Sequence, residues 1–135
     1  MMEIVQQLTV EFGIIKPYPE TTIYYDGDDD TGIEITIRAS GNASGLRINR
    51  RTGNEYIIIN QDMVVADTIK IDTRKGKKSA ILIRNGVETN ILKKVETSKT
   101  WIHLEKGENV FTYTTTSGLS NLKIFVDYET RINGI

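Results

Sequence analysis

No cysteine occurs among the 135 residues, so disulfides and thiolate-bound metals are both excluded, and packing and hydrogen bonds must hold the fold. Histidine and tryptophan appear once each, as His103 and Trp101, and proline twice. An excess of charge of one sign is also missing. Seventeen Lys and Arg stand against 18 Asp and Glu, a formal net charge of -1 that gives no general attraction to nucleic acid or to an anionic membrane. No apolar run approaches the roughly 18 residues of a membrane-crossing helix. The start MMEIVQQLTVEFG has no basic segment followed by a hydrophobic stretch, so the chain reads as soluble and unprocessed. The doubled Met1-Met2 leaves open that an initiator precedes an internal methionine and that the chain is a fragment.

What is present is glycine and a period of two. Ile33, Ile35 and Ile37 alternate with polar residues, as do Leu46 and Ile48, Ile69 and Ile71, and Leu122, Ile124, Val126 and Tyr128. That spacing puts apolar side chains on one face of half-buried antiparallel strands. Two unbroken apolar runs, Tyr56 to Ile59 and Ala80 to Ile83, are expected as strands buried on both faces. Asn85-Gly86 suits a type I′ turn and predicts a hairpin with arms 79–84 and 87–92. Val87 to Thr97 has a competing helical spacing, which a hairpin arm followed by one helical turn accommodates equally. Further turns fall at Asp26-Gly27, Gly41 to Gly45, Thr52-Gly53, Lys75-Gly76, Lys106-Gly107 and Ser117-Gly118, and KPYPE marks a sheet edge or crossover. The expectation is a single all-β domain over 1–135, an antiparallel β-sandwich or small barrel.

Candidate sites are few. His103 has no visible nucleophile, orienting carboxylate or ligand set beside it, and reads as structural. In Thr100 to Leu104 it shares a face with Trp101, with Ile102 and Leu104 on the other, so that one face is core and one partly wet. Trp101 reads as core or interface packing, with sugar stacking as the alternative; as core, its truncation to alanine costs about 3–5 kcal/mol. Asp26, Asp28 and Asp30 match the alternate carboxylates of a calcium loop, but Thr31 stands at its glycine position and Ile37 at its glutamate position. A solvated acidic turn is favoured there, with a partial calcium site as the alternative. Arg47, Arg50, Arg51, Lys70, Arg74, Lys75, Lys77 and Lys78 make the middle of the chain basic, read as a solvated rim or subunit contact. No phosphate loop, nucleophile elbow or close carboxylate pair on a common strand face nominates an enzyme.

The order of motifs adds to this. RINRRTGNEYIII, then VADTIKIDTRKGKKSAILIRNGVETNIL, then SKTWIHLEKGENVFTYTTTSG resembles the C-terminal domain of the distal tail proteins of siphophages that infect Gram-positive bacteria. The positions that carry the likeness are Thr52 and Gly53; Asp67, Ile69, Ile71, Asp72 and Thr73; Gly76 and Lys77; Asn85 and Gly86; and Ser98, Trp101, Leu104, Gly107 and Asn109. With TVEFGIIKPYP upstream it extends over about residues 8–130. Asn54 before Glu55, Ala66 in place of a glycine before Asp67, and Arg84 before the Asn-Gly turn depart from the pattern.

The resemblance implies a jelly-roll or galectin-like sandwich projecting from a hexameric ring at the tail tip, with residues 1–7 as a linker from an N-terminal ring-forming domain that the chain lacks. It implies a non-catalytic virion protein, made in the host cytoplasm, without cofactor, nucleic-acid or membrane partner. Its partners would be other tail and baseplate or receptor-binding proteins, and the domain alone a monomer or weak oligomer. Asp67, Asp72, Asn85, Gly86, Trp101, Leu104, Gly107 and Asn109 then form a structural signature. The rival reading is a carbohydrate-binding module that touches cell-wall glycan through Tyr24, Tyr56 or Phe125.

Overall fold

The computed structural model describes residues 3–12 and 19–133, with side chains over 7–12 and 19–130. Among these residues the strands are β1 (Glu3–Glu11), β2 (Glu20–Tyr25), β3 (Thr31–Gly32), β4 (Glu34–Ala39), β5 (Leu46–Arg50), β6 (Glu55–Ile59) and β7 (Thr68–Asp72). There follow β8 (Ser79–Arg84), β9 (Val87–Asn90), β10 (Val95–Thr97), β11 (His103–Leu104), β12 (Gly107–Thr114) and β13 (Leu122–Asn133). They form a six-stranded sheet in the order β1-β13-β4-β7-β8-β9, a five-stranded sheet β10-β6-β5-β12-β2 and a small pair β11-β3. Every pairing is antiparallel, and the two large sheets pack as a sandwich rather than closing into a barrel.

The alternation read from the chain places the core. Ile35, Ile37, Ile69, Ile71, Ala80, Ile124 and Val126 from the six-stranded sheet are buried against Ile48, Ile57, Ile59, Phe111 and Tyr113 of the other. Each fully buried Ile or Phe contributes about 1.5–3 kcal/mol relative to exposure. Phe12 closes one side, its ring edge-on to Tyr113 at 5.3 Å and to Phe111 at 6.1 Å. Pro19 is buried just ahead of β2, while the Lys16-Pro17-Tyr18 step lies outside the described residues.

Two expectations change. In the apolar runs only alternate residues are fully buried: Ile57 and Ile59 but not Tyr56 and Ile58, Ala80 and Leu82 but not Ile81 and Ile83. Among the described residues no further sheet layer lies outside either large sheet, and the outward Tyr56 ring is covered by Arg47 at 4.5 Å. The hairpin has arms β8 and β9, with Asn85 at φ 52° and Gly86 at φ 76° as a type I′ turn requires. Its second arm stops at Asn90; buried Ile91 and a single 3-10 turn at Leu92–Lys94 follow.

Candidate functional site

A polar cluster lies at one end of the five-stranded sheet, and the sequence folds locally to make it. β5 ends in Arg50, a 3-10 turn spans Arg51–Gly53, and Asn54, at φ 54°, reverses the chain so that Glu55 opens β6 directly opposite Arg50. A Cβ on Gly53 would lie 2.1 Å from Arg50 Nη1, so glycine there leaves room for the guanidinium. From the other side, Ile102 and Leu104 are fully buried and anchor the segment that carries His103. The turn after it is organised by Asn109, also fully buried.

The contacts converge. Arg50 Nη1 lies 3.1 Å from Glu55 Oε1 and 3.5 Å from Glu105 Oε2, and its Nε donates to Asn109 Oδ1 at 2.9 Å. Asn109 Oδ1 also accepts the Glu105 amide at 3.1 Å, while its Nδ2 donates to the carbonyls of Ile23, Glu105 and Gly107. His103 Nδ1 is 2.8 Å from Glu55 Oε2 and 3.1 Å from the Trp101 carbonyl. Its Nε2 is 2.9 Å from Glu105 Oε2 and 3.9 Å from Asp30 Oδ2. Glu55 Oε1 takes the His103 backbone amide as well, at 3.3 Å. Burying a carboxylate without such partners costs several kcal/mol, and Arg50 offsets that cost. Among the described residues no buried side-chain nitrogen or oxygen lacks a hydrogen-bond partner.

Several sequence readings are corrected here. His103 does have orienting carboxylates: Glu55 lies 48 residues away, beyond the reach of any spacing, whereas Glu105, two residues on, stands at a period-two position that the sequence reading missed. Arg50 is a buried member of this cluster and not a rim cation. Trp101 is partly buried: it packs against the core edge, with Lys78 Nζ 5.4 Å over its ring. Its neighbours Ile102 and Leu104 form the core face, which the alternation left open between the two faces.

Other signature residues pin turns. Asp67 is buried and accepts Arg84 Nε at 2.9 Å, Arg84 Nη2 at 2.7 Å and the Val64 amide at 2.9 Å. The Arg84 hydrogen bond holds its carboxyl below the ordinary range. Ala66 just before it sits at φ 71°, where glycine is at ease. Burial alone would raise the Asp72 carboxyl, but hydrogen bonds from the Arg74 guanidinium and amide outweigh it and leave the pKa lowered. Ser98 Oγ accepts the Tyr56 amide at 3.0 Å and donates to the Thr100 carbonyl at 2.6 Å, tying β10 to β6.

The remaining candidates are dispersed. Tyr24, 72% exposed, and Tyr56 lie three strands apart on the five-stranded sheet and four residues out of register, about 19 Å at the usual strand spacing and rise. Phe125 belongs to the other sheet, with the Arg38 guanidinium 5.5 Å from its ring. Asp26, Asp28 and Asp30 are all exposed. Of these, Asp30 is drawn to His103 and Glu105, and one ligand atom from each of the three falls within 4.8 Å of the others, the group here that could hold a metal ion. An open cleft of about 350 Å³ adjoins it, lined in part by Thr73, Lys75, Lys78 and Trp101.

A family model described as the siphovirus-type tail component, C-terminal domain, matches residues 26–131. No curated protein and no solved structure matches the chain.

Proposed function

Because the chain belongs to the siphovirus-type tail component family through that C-terminal domain, we propose that it is a non-catalytic structural part of the tail tip, whose β-sandwich docks neighbouring baseplate or receptor-binding subunits. Family membership makes it a phage tail component and so a part of the virion. The finer reading of docking rests on one observation. Val64, Val65 and Val87 are 41%, 66% and 63% exposed, at the end of the six-stranded sheet where Arg84 ties the 62–67 segment to the hairpin. Val87 opens β9, the marginal strand, all four of whose residues are exposed.

Exposed apolar side chains beside a sheet margin suit a protein partner that adds contacts along the edge. The dispersal of Tyr24, Tyr56 and Phe125 favours this over a sugar platform, which needs aromatic rings on one surface. Both ring nitrogens of His103 already face carboxylates, which argues against a free general base. The test is gold-labelled antibody against this domain, applied to phage particles from the host that makes it. Label at the distal end of the tail is expected. Intact particles that stay unlabelled while the free protein is abundant would overturn the reading.

A further inference from the structure

We propose that Asp30, His103 and Glu105 form a binding site for one divalent transition-metal ion of the zinc type, with Glu55 as the outer partner that orients the imidazole. The inference stands apart from the docking function and rests on how His103 is held. Its two nitrogens face carboxylates of unlike burial: the Glu55 side chain is 6% exposed, that of Glu105 50% and that of Asp30 65%. A proton on Nδ1 serves the buried carboxylate, whose uncompensated charge is the costlier one. The Nε2 lone pair then points at Glu105 Oε2, 2.9 Å away, and towards Asp30 Oδ2 at 3.9 Å. A lone pair and two anionic oxygens repel unless a positive charge stands among them.

Local charge sets the sign of what is missing. Asp30, Glu55 and Glu105 bring three negative charges, and Arg50, bonded to Glu55 and 3.5 Å from Glu105, brings one positive. The cluster itself thus keeps an excess of negative charge that favours a cation. Lys75 and Lys78 line the adjoining cleft, but Lys78 is drawn over the Trp101 ring. An imidazole whose other nitrogen is bonded to a carboxylate is also the arrangement by which proteins fix the tautomer and orientation of a metal-binding histidine.

The spacing fits the same ion. With zinc bonds of about 2.0–2.2 Å, neighbouring ligand atoms around a tetrahedral centre lie about 3.4 Å apart. Here the three ligand atoms are mutually within 4.8 Å, and the exposed Asp30 and Glu105 side chains are free of the packing that would prevent them from closing on an ion. The open cleft leaves the fourth position to water. An imidazole ligand and so few oxygens disfavour calcium, which takes six to eight oxygen ligands. The bound ion would fasten the acidic loop before β3 to the segment carrying β11.

The test uses the untagged whole chain, stripped with a chelator and titrated with zinc chloride by calorimetry, with thermal melting in parallel. One ion per chain at micromolar zinc and a raised melting temperature are expected, with calcium at the same concentration doing neither. The pair Asp30→Asn with Glu105→Gln should abolish uptake, and the melting temperature of that variant should no longer respond to zinc. Glu55→Gln should weaken binding by about tenfold to a hundredfold, the usual cost of losing an outer partner. No uptake by the native chain would mean that a proton on Nε2 fills the gap, and the proposal fails. It fails equally if the double variant still binds zinc, or if calcium binds as well as zinc does.

Discussion

At the scale of single residues, buried polar groups matter here more than the lone aromatic that stands out in the sequence. Asn109 satisfies two donors and three carbonyls from one amide, and from β12 it holds the turn that brings Glu105 to Arg50. Trp101, by contrast, is partly solvated, so its truncation removes less buried area than a core tryptophan would and should fall below the range for full burial. Ala66 is a residue at odds with its backbone. Held at φ 71°, it bears a left-handed conformation that costs a residue with a Cβ about 1–2 kcal/mol. Ala66→Gly relieves that strain but loosens the unfolded chain, so a net gain of roughly 0.5–1 kcal/mol is expected in urea unfolding. A loss of stability would show that the strain is not there.

At the scale of elements, acidic residues act as clips at strand ends. Asp67 ties the loop before β7 to Arg84 at the end of β8, and Asp72 holds Arg74 where the chain leaves β7. Both carboxyls are lowered from the ordinary 3.8, so the folded chain binds their protons more weakly than the unfolded chain does. Their contribution to stability is therefore complete above that ordinary value and is lost as pH falls through the lowered folded values. Asp67→Asn should lower the melting temperature at pH 7 and flatten its decline as pH falls below the ordinary carboxylate value of 3.8. If the native and variant profiles run parallel, Asp67 contributes nothing to the acid response.

For the whole molecule, the sandwich separates a rigid interior from an end that remains available. The buried isoleucines of both sheets need no partner, whereas Val64, Val65 and Val87 gain by acquiring one. Val65→Asp and Val87→Asp, at exposed positions, should each change stability by no more than about 0.5 kcal/mol. Incorporation of the protein into particles, measured by immunoblot of purified virions, should nevertheless fall. Normal incorporation with both changes together would move the docking surface elsewhere.

The sequence by itself determined the strands, the class of fold and the family. Period-two burial of Ile35 and Ile37 and the positive φ values of Asn85-Gly86 are local consequences of side-chain spacing and turn chemistry. It also showed where the chain departs from its family pattern, and the structure shows what two departures do: Ala66 strains a left-handed position that suits the glycine it replaces, and Arg84 pairs with Asp67. Only the tertiary structure decided that His103 meets Glu55 and Asp30; Glu105, two residues on, was within reach of the period of two. Arg50 and Glu55 meet through strand register across a turn, Asn109 reaches them from β12, and Asp30 and Glu105 arrive from loops on either side of the β11-β3 pair. Such a cluster has no sequence period, because its geometry depends on how separate segments pack and on the cost of leaving a buried charge unpaired.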